Sequence, residues 1–241
     1  MKFHNFITEN VITESINDKG ILKAVFMAGN PGAGKSYTLK KVSDGTISPR
    51  IVNIDKWIEF SKIAYGTPEH EHAKKVTENE LYLYVNSMLP LFVDTTSTYT
   101  TGVVRRRNIL EKLGYDTALI YVQTSLETSL ERVKKRNEEG PRVVSLDTVK
   151  EYYMYSTKIK KFLQHSFKLF IEVNNDDDAL TNEAVLKAYN RMSWFFNSPV
   201  KNRVGNDIIE TMKTNNWKYL TDGIYGPKEL YSKIDQWYRS V

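Results

Sequence analysis

Between Gly29 and Ser36 the chain reads Gly-Asn-Pro-Gly-Ala-Gly-Lys-Ser, a complete Gly-x-x-x-x-Gly-Lys-Ser pattern. Its flanks turn the string into a structural expectation. The apolar run Ile21–Ala28 ahead of it predicts a buried strand, and Lys35–Val42 behind it predicts the opening of a helix. Glycines let backbone N–H groups wrap a polyphosphate, and the helix N-terminus adds the positive end of its dipole. On this pattern Gly29, Asn30, Pro31, Gly32, Ala33 and Gly34, followed by Lys35, Ser36 and Tyr37, form a nucleotide-binding strap. Lys35 is placed to reach the β- and γ-phosphates of ATP, and the Ser36 hydroxyl to ligate Mg²⁺.

The rest of the first 180 residues alternates strand and helix patterns. Further strands are expected at Arg50–Ile54, Leu89–Val93, Thr117–Val122 and Lys168–Val173. Helices are expected at Lys56–Ala64, Glu69–Met88, Val103–Leu113, Ser125–Arg136 and Leu146–Leu163. Strands separated by helices build right-handed crossovers and a parallel sheet covered on both faces. The expected fold is therefore a three-layer αβα core on a five-stranded parallel sheet, with ligands beyond the carboxyl ends of the strands. Its limits are set at residues 20–180. Residues 1–19 read as a polar leader, and residues 181–241 as a helical C-terminal extension whose Trp217, Tyr219, Tyr231, Trp237 and Tyr238 are expected to pack on the core.

Composition removes several classes of function. The chain has no cysteine, so disulfides, thiolate metal sites and a cysteine nucleophile are excluded. No run approaches the ~18 apolar residues of a membrane span, and no secretory signal is visible, so a cytoplasmic location without membrane association is expected. The net charge of +5 suits a polyanionic ligand without naming one. His70 and His72 fall in a charged stretch, Glu69-His-Glu-His, where solvated side chains are expected rather than a metal site.

Phosphoryl transfer needs an oriented nucleophile, a held metal and neutralised charge. Asp55, just past the second strand, is placed to orient an acceptor hydroxyl. Asp94, just past the third, is placed to hold Mg²⁺ directly or through water. These two roles are exchangeable on sequence grounds, and each aspartate could instead cap the following helix. Arg132 and Arg136, four residues apart on one helix face, and Arg142, after Gly140-Pro141, are candidates for neutralising the moving phosphoryl group. Arg105, Arg106 and Arg107 open another helix and read either as a phosphate or acidic-substrate site or as a solvated face.

With these pieces in place the chain resembles the zeta-toxin and polynucleotide-kinase branch of P-loop kinases, most of all the kinases of that branch from large tailed bacteriophages. The resemblance rests on Gly29–Ser36, Val52-Asn-Ile-Asp55 with Glu59, Phe92-Val-Asp-Thr-Thr96, Leu113–Thr117, Val122–Leu126, Arg136-Asn137, Arg142 and Val173-Asn-Asn175. It implies ATP and Mg²⁺ as cofactors and an adenylate-kinase-like strand order. It further implies Asp55 as the hydroxyl-orienting base and Arg136 and Arg142 as lid arginines. The loop around Asn174 is then near the adenine. It implies a hydroxyl acceptor among polynucleotides, nucleotides and nucleotide-sugars. The chain departs from the family at Gly140, near which the family carries a further arginine; Arg132 is the candidate to compensate. The leader Met1–Glu9 resembles short capsid-targeting peptides, with Ile7-Thr-Glu9 and Ile12-Thr-Glu14 as cleavage-type sites, which implies packaging in the virion. The rivals to a kinase are a nucleotide switch that hydrolyses ATP and a packaged protein that retains a kinase core.

Overall fold

The computed structural model describes residues 19–43, 49–61, 67–94, 100–139, 143–176 and 182–214. Five parallel strands form one sheet in the order β2-β3-β1-β4-β5: β1 (Lys23–Gly29), β2 (Arg50–Val52), β3 (Leu91–Asp94), β4 (Asp116–Gln123) and β5 (Leu169–Asn174). This is the strand order that the resemblance implied. The helices in chain order are α1 (Lys35–Ser43), α2 (Asp55–Ser61), α3 (Pro68–Asn86), α4 (Thr100–Lys112), α5 (Leu126–Glu139), α6 (Leu146–Ser166), α7 (Asn182–Asn197) and α8 (Arg203–Thr214).

The sheet is central because its middle strands are apolar on both faces. Every residue of β1 is buried, as parallel strands covered on both sides require. Ala24, Phe26 and Ala28 face one core, with Leu81 and Val85 of α3, Val103 and Leu110 of α4 and Leu163 of α6. Val25 and Met27 face the other core, with Leu39 and Val42 of α1 and Ala188, Met192, Phe195 and Phe196 of α7. Each Val, Leu, Met or Phe among them contributes ~1.5–3 kcal/mol by leaving water. Edge strand β2 is shorter than the apolar run Arg50–Ile54, because Asn53 leaves the ladder to make a turn.

The first strand starts at Lys23 rather than Ile21 because a turn with Leu22 at φ 54° precedes it, closed by a 3.1 Å hydrogen bond to the Gly20 carbonyl from the backbone N–H of Lys23. The Lys23 ammonium is buried at the amino end of the sheet, 2.6 Å from Asp116 Oδ2 and 3.0 Å from the Pro199 carbonyl, over the Phe195 ring. Burial lowers its pKa against the opposing pull of Asp116. Asp116 also accepts from the Lys201 backbone N–H at 2.8 Å. The segment after α7 is thus tied to β1 and β4, and the described helices beyond residue 181 pack into the core on both faces. The aromatics at 217 and beyond, and the leader motifs ending at Glu9 and Glu14, lie outside the described residues.

Helix α8 reaches the core through a glycine pair. A Cβ on Gly205 would stand 2.2 Å from the Gly114 carbonyl oxygen, a backbone atom that cannot swing away. We expect Gly205→Ala to cost ~1–3 kcal/mol by overpacking, seen as a lower midpoint in thermal unfolding; an unchanged midpoint would show that α8 can shift at no cost. His70 is buried in the first turn of α3, its backbone N–H donating to Thr67 Oγ1, whereas His72 is exposed as expected. No helix among the described residues is long and apolar enough to cross a membrane.

Candidate active site

Parallel strands deliver their loops to one rim, and here the rim is polar. It opens into a cleft of about 780 Å³ lined by Gly29, Pro31, Gly32, Gly34, Lys35, Ser36 and Tyr37 after β1, by Asn53 and Asp55 after β2, by Asp94 on β3, and by Arg132 and Arg136 of α5. Of the residues singled out from sequence, the cleft brings these together. Asn30 and Ala33 are buried in the body of the loop instead. Arg142 lies outside the described residues.

The loop itself is built on left-handed backbone at Gly32 (φ 82°) and Gly34 (φ 85°), conformations that disfavour any side chain. Lys35 opens α1 and its Nζ donates back to the carbonyls of Gly29 (3.0 Å) and Asn30 (3.4 Å), so the ammonium sits over the loop. Ser36 and Tyr37 follow in the first turn of α1.

Asn53 organises the two acids. Its Nδ2 donates to Asp94 Oδ2 at 2.9 Å, and its Oδ1 accepts from the Asp55 backbone N–H at 2.7 Å. The second contact is an Asx turn that starts α2 at Asp55. One amide therefore fixes a carboxylate on β3 relative to the start of a helix after β2. Sequence reasoning gave Asn53 no role; the Asn-x-Asp spacing is a signal that could have found this turn, but the bond to Asp94 crosses strands and has none.

Asn175 does for the other side what Asn53 does for this one. Its Nδ2 donates to the Ala33 carbonyl at 2.7 Å, its backbone carbonyl accepts from Arg132 Nη1 at 3.0 Å, and its N–H donates to the Gln123 carbonyl at 2.8 Å. The residue expected near a base was Asn174. Side chains alternate along a strand, and Asn174 lies outside the large cleft, lining a second, smaller pocket of about 230 Å³ with Asn30, Thr124 and Lys160. The next residue, buried, is the one that touches the loop.

Helix α5 rides over the loop: a Cβ on Gly32 would meet the Ser129 carbonyl at 2.6 Å and Val133 Cγ2 at 3.1 Å. Asp176 accepts from the Ser125 backbone N–H at the start of this helix and from Thr124 Oγ1. The Ser125 N–H in particular holds its carboxyl below the usual range. At the other end Asn137 clasps Val144 by two hydrogen bonds, 2.7 Å and 3.0 Å, bracketing the 140–142 stretch. The arginine run on α4 divides. Arg105 and Arg106 line the cleft. Arg107 turns away, donating to the Ser166 carbonyl with its guanidinium over the Phe167 ring.

The donor set fits a magnesium-bound triphosphate. An ammonium, a primary hydroxyl and a carboxylate (Lys35, Ser36 and Asp94) share one cleft with the guanidinium groups of Arg132 and Arg136, and hard oxygens are what Mg²⁺ takes. Among the described residues no group of three His, Cys, Asp or Glu stands ready to hold a metal.

Comparison with known proteins agrees with this architecture. Residues 25–156 match the family model of an AAA domain, AAA_33. Among solved structures, the PezAT chromosomal toxin–antitoxin system of Streptococcus pneumoniae is similar, with a TM-score of 0.51 at 15% identity over 88% of this chain and 93% of that one. At that identity the likeness concerns the fold. Shikimate kinase from Acinetobacter baumannii, in complex with shikimate, aligns with a TM-score of 0.48 at 17% identity over 72% of this chain and 95% of that chain. Shikimate kinase from Bacteroides thetaiotaomicron aligns with 0.46 at 10% over 70% and 98%. No curated protein matches the chain.

Proposed function

The chain belongs to the AAA domain family, and from that premise we propose that it is an ATP- and Mg²⁺-dependent kinase. It transfers the γ-phosphoryl group to a hydroxyl of a polynucleotide, nucleotide or nucleotide-sugar, in the manner of the zeta-toxin and polynucleotide-kinase branch. The observation that carries the reading is the meeting, in one cleft, of Lys35 and Ser36 with two acids that a single asparagine holds.

Each residue has a task. The loop N–H groups and Lys35 bind the β- and γ-phosphates and fix their orientation. Ser36 and Asp94 would hold Mg²⁺, which would supply charge neutralisation on those phosphates. Asp55 accepts the hydrogen bond of the acceptor hydroxyl and takes its proton as the oxygen attacks in line, the bond from the γ-phosphorus to the β–γ bridging oxygen breaks, and ADP leaves. Arg132 and Arg136, with Arg142, neutralise the equatorial oxygens as charge spreads over them. Asn175 positions the loop against α5, and its removal tests that task. Asn175→Ala deletes the bond to Ala33 but keeps the backbone acceptor of Arg132. We expect it to raise the KM for ATP about fivefold, ~1 kcal/mol, with kcat changed less; equal loss in both would assign it to the chemical step instead.

A nucleotide switch would need a place for one water. This cleft continues past the loop to Lys74, Thr77 and Glu78 of α3 and to Arg105 and Arg106 of α4, which is space for an acceptor and favours the kinase. The packaging reading depends on the leader, which lies outside the described residues. The reading is tested by incubating the full chain with labelled ATP and a panel of 5′-hydroxyl DNA and RNA, nucleoside monophosphates and nucleotide-sugars. Transfer to one of them supports it. ATP hydrolysis unaffected by every acceptor supports the switch.

A further inference from the structure

We propose that the acceptor is a single-stranded polynucleotide and that the nucleotides following its reacting end lie along the outer face of α6; this rests on the kinase reading above and narrows its substrate. The argument begins where α6 meets the cleft. Ser145 caps this helix, and Thr148 and Tyr152 in its first two turns line the cleft together with Asp55 and the phosphate loop. Tyr155, Lys158, Phe162 and His165 continue the same three- and four-residue spacing, which makes one stripe along a helix. At 1.5 Å per residue the stripe from Thr148 to His165 is about 26 Å long. A mononucleotide in the cleft stays at the upper end of it. Only a chain can follow it down.

Beyond the cleft the stripe is exposed, basic and aromatic. Tyr155 is 50% and Phe162 45% exposed, with Met154 beside them at 76%. Lys158 and Lys161 are exposed, and neither has an ion-pair partner among the described residues. The chain carries no acid from Tyr152 through Ile171. Acids around this stretch are engaged elsewhere: Asp147 pairs with Lys150 at 3.2 Å, Glu172 with Lys160 at 3.0 Å, and Glu111 of α4 accepts from Thr117 Oγ1 at 2.6 Å. Glu151 is exposed one turn before Tyr155, at the cleft end. The charge of the face therefore complements a polyanion, and its rings say which kind. Spaced ammonium groups meet phosphates, and each base of a single strand offers a flat face to an aromatic side chain. A helix that lies on a membrane segregates its apolar from its basic side chains, whereas here Lys158 stands between Tyr155 and Phe162. Protein interfaces are depleted of lysine.

The test is fluorescence anisotropy with the full chain, a non-hydrolysable ATP analogue and Mg²⁺, using 3′-labelled oligothymidylates that carry a free 5′-hydroxyl. The dodecanucleotide is expected to bind at least about tenfold more tightly than the trinucleotide, and more tightly than a duplex of its own length. Lys158→Gln with Lys161→Gln should weaken it by about tenfold at ~0.1 M salt and reduce its salt slope by about 1–2. Tyr155→Ala with Phe162→Ala should weaken it by about tenfold or more. Affinity for the ATP analogue should stay within about twofold in both pairs. All four side chains are exposed; if the aromatic pair fails to fold, the lysine pair alone carries the comparison. Equal affinity for the two lengths, tighter binding of the duplex, or parental affinity in the lysine pair would each overturn the proposal. Binding to vesicles of equal parts phosphatidylserine and phosphatidylcholine, with none to the oligonucleotides, would overturn it as well. The kinase reading is judged separately. Transfer to a nucleoside monophosphate without oligonucleotide binding would remove this proposal and keep the kinase, whereas oligonucleotide binding without transfer to any acceptor would remove the kinase and keep the binding face.

Discussion

Lys35→Ala is expected to lower phosphoryl transfer by ~10²–10³-fold or more, because it removes the one ammonium that opens α1 beside the loop carbonyls. The same charge serves the ground state and the transition state, so nucleotide affinity falls as well, by about tenfold or more. The fold should survive. The lysine ammonium donates to loop carbonyls, and its side chain lies in neither core cluster. A thermal midpoint within about 2 °C of the parent would show this, since that shift is under ~1 kcal/mol for a chain of this size. Lys35→Arg is a useful companion, as the larger planar group does not reproduce a compact point charge. Full activity in Lys35→Ala would remove the loop from the chemistry.

Asp55→Asn should reduce kcat by ~10²–10⁴-fold, the range for a lost general base, while leaving ATP affinity near the parental value. The substitution separates two roles that the position could serve. Asp55 begins α2, and its backbone N–H is fixed by Asn53. Asparagine is as good as aspartate at helix starts and keeps the same shape. A structural role is therefore preserved, and what is lost is a proton acceptor. Single-turnover measurement with bound ATP reads the chemical step directly. Undiminished turnover would transfer the role to Asp94, 2.9 Å from the same asparagine.

Much of the architecture could be read in advance because it is written in apolar runs. β1, β3 and β4 are buried on both faces, and unbroken hydrophobic segments announce them. The phosphate loop announces its own helix. Features set by side-chain parity or by partners distant in sequence were less accessible. Asn174 and Asn175 are adjacent letters, yet only the buried Asn175 meets the loop. Three consecutive arginines on α4 are each turned by about 100° from the last, so the run is divided between the cleft and α6. Asn53 and Asp94 are forty-one positions apart and meet because β2 pairs with β3. Lys23 reads as a polar interruption before a strand; its partners Asp116 and Pro199 arrive from far along the chain.

The burial of Phe195 and Phe196 against the sheet bears on how this polypeptide matures. The strip they cover is completed by segments as far apart as Val25 and Phe196, so a nascent chain emerging through residue 180 would still lack its last hydrophobic lining. Val25, Met27, Phe92 and Ile120 would have α1 but not α7 to cover them until α7 has been synthesised, and the charge pair at Lys23 and Asp116 would wait for the carbonyl of Pro199. Acquisition of a nucleotide-ready loop is thereby coupled to translation of the segment beyond the last strand, and a product terminated early would meet chaperones and proteases as a sheet with one face partly uncovered.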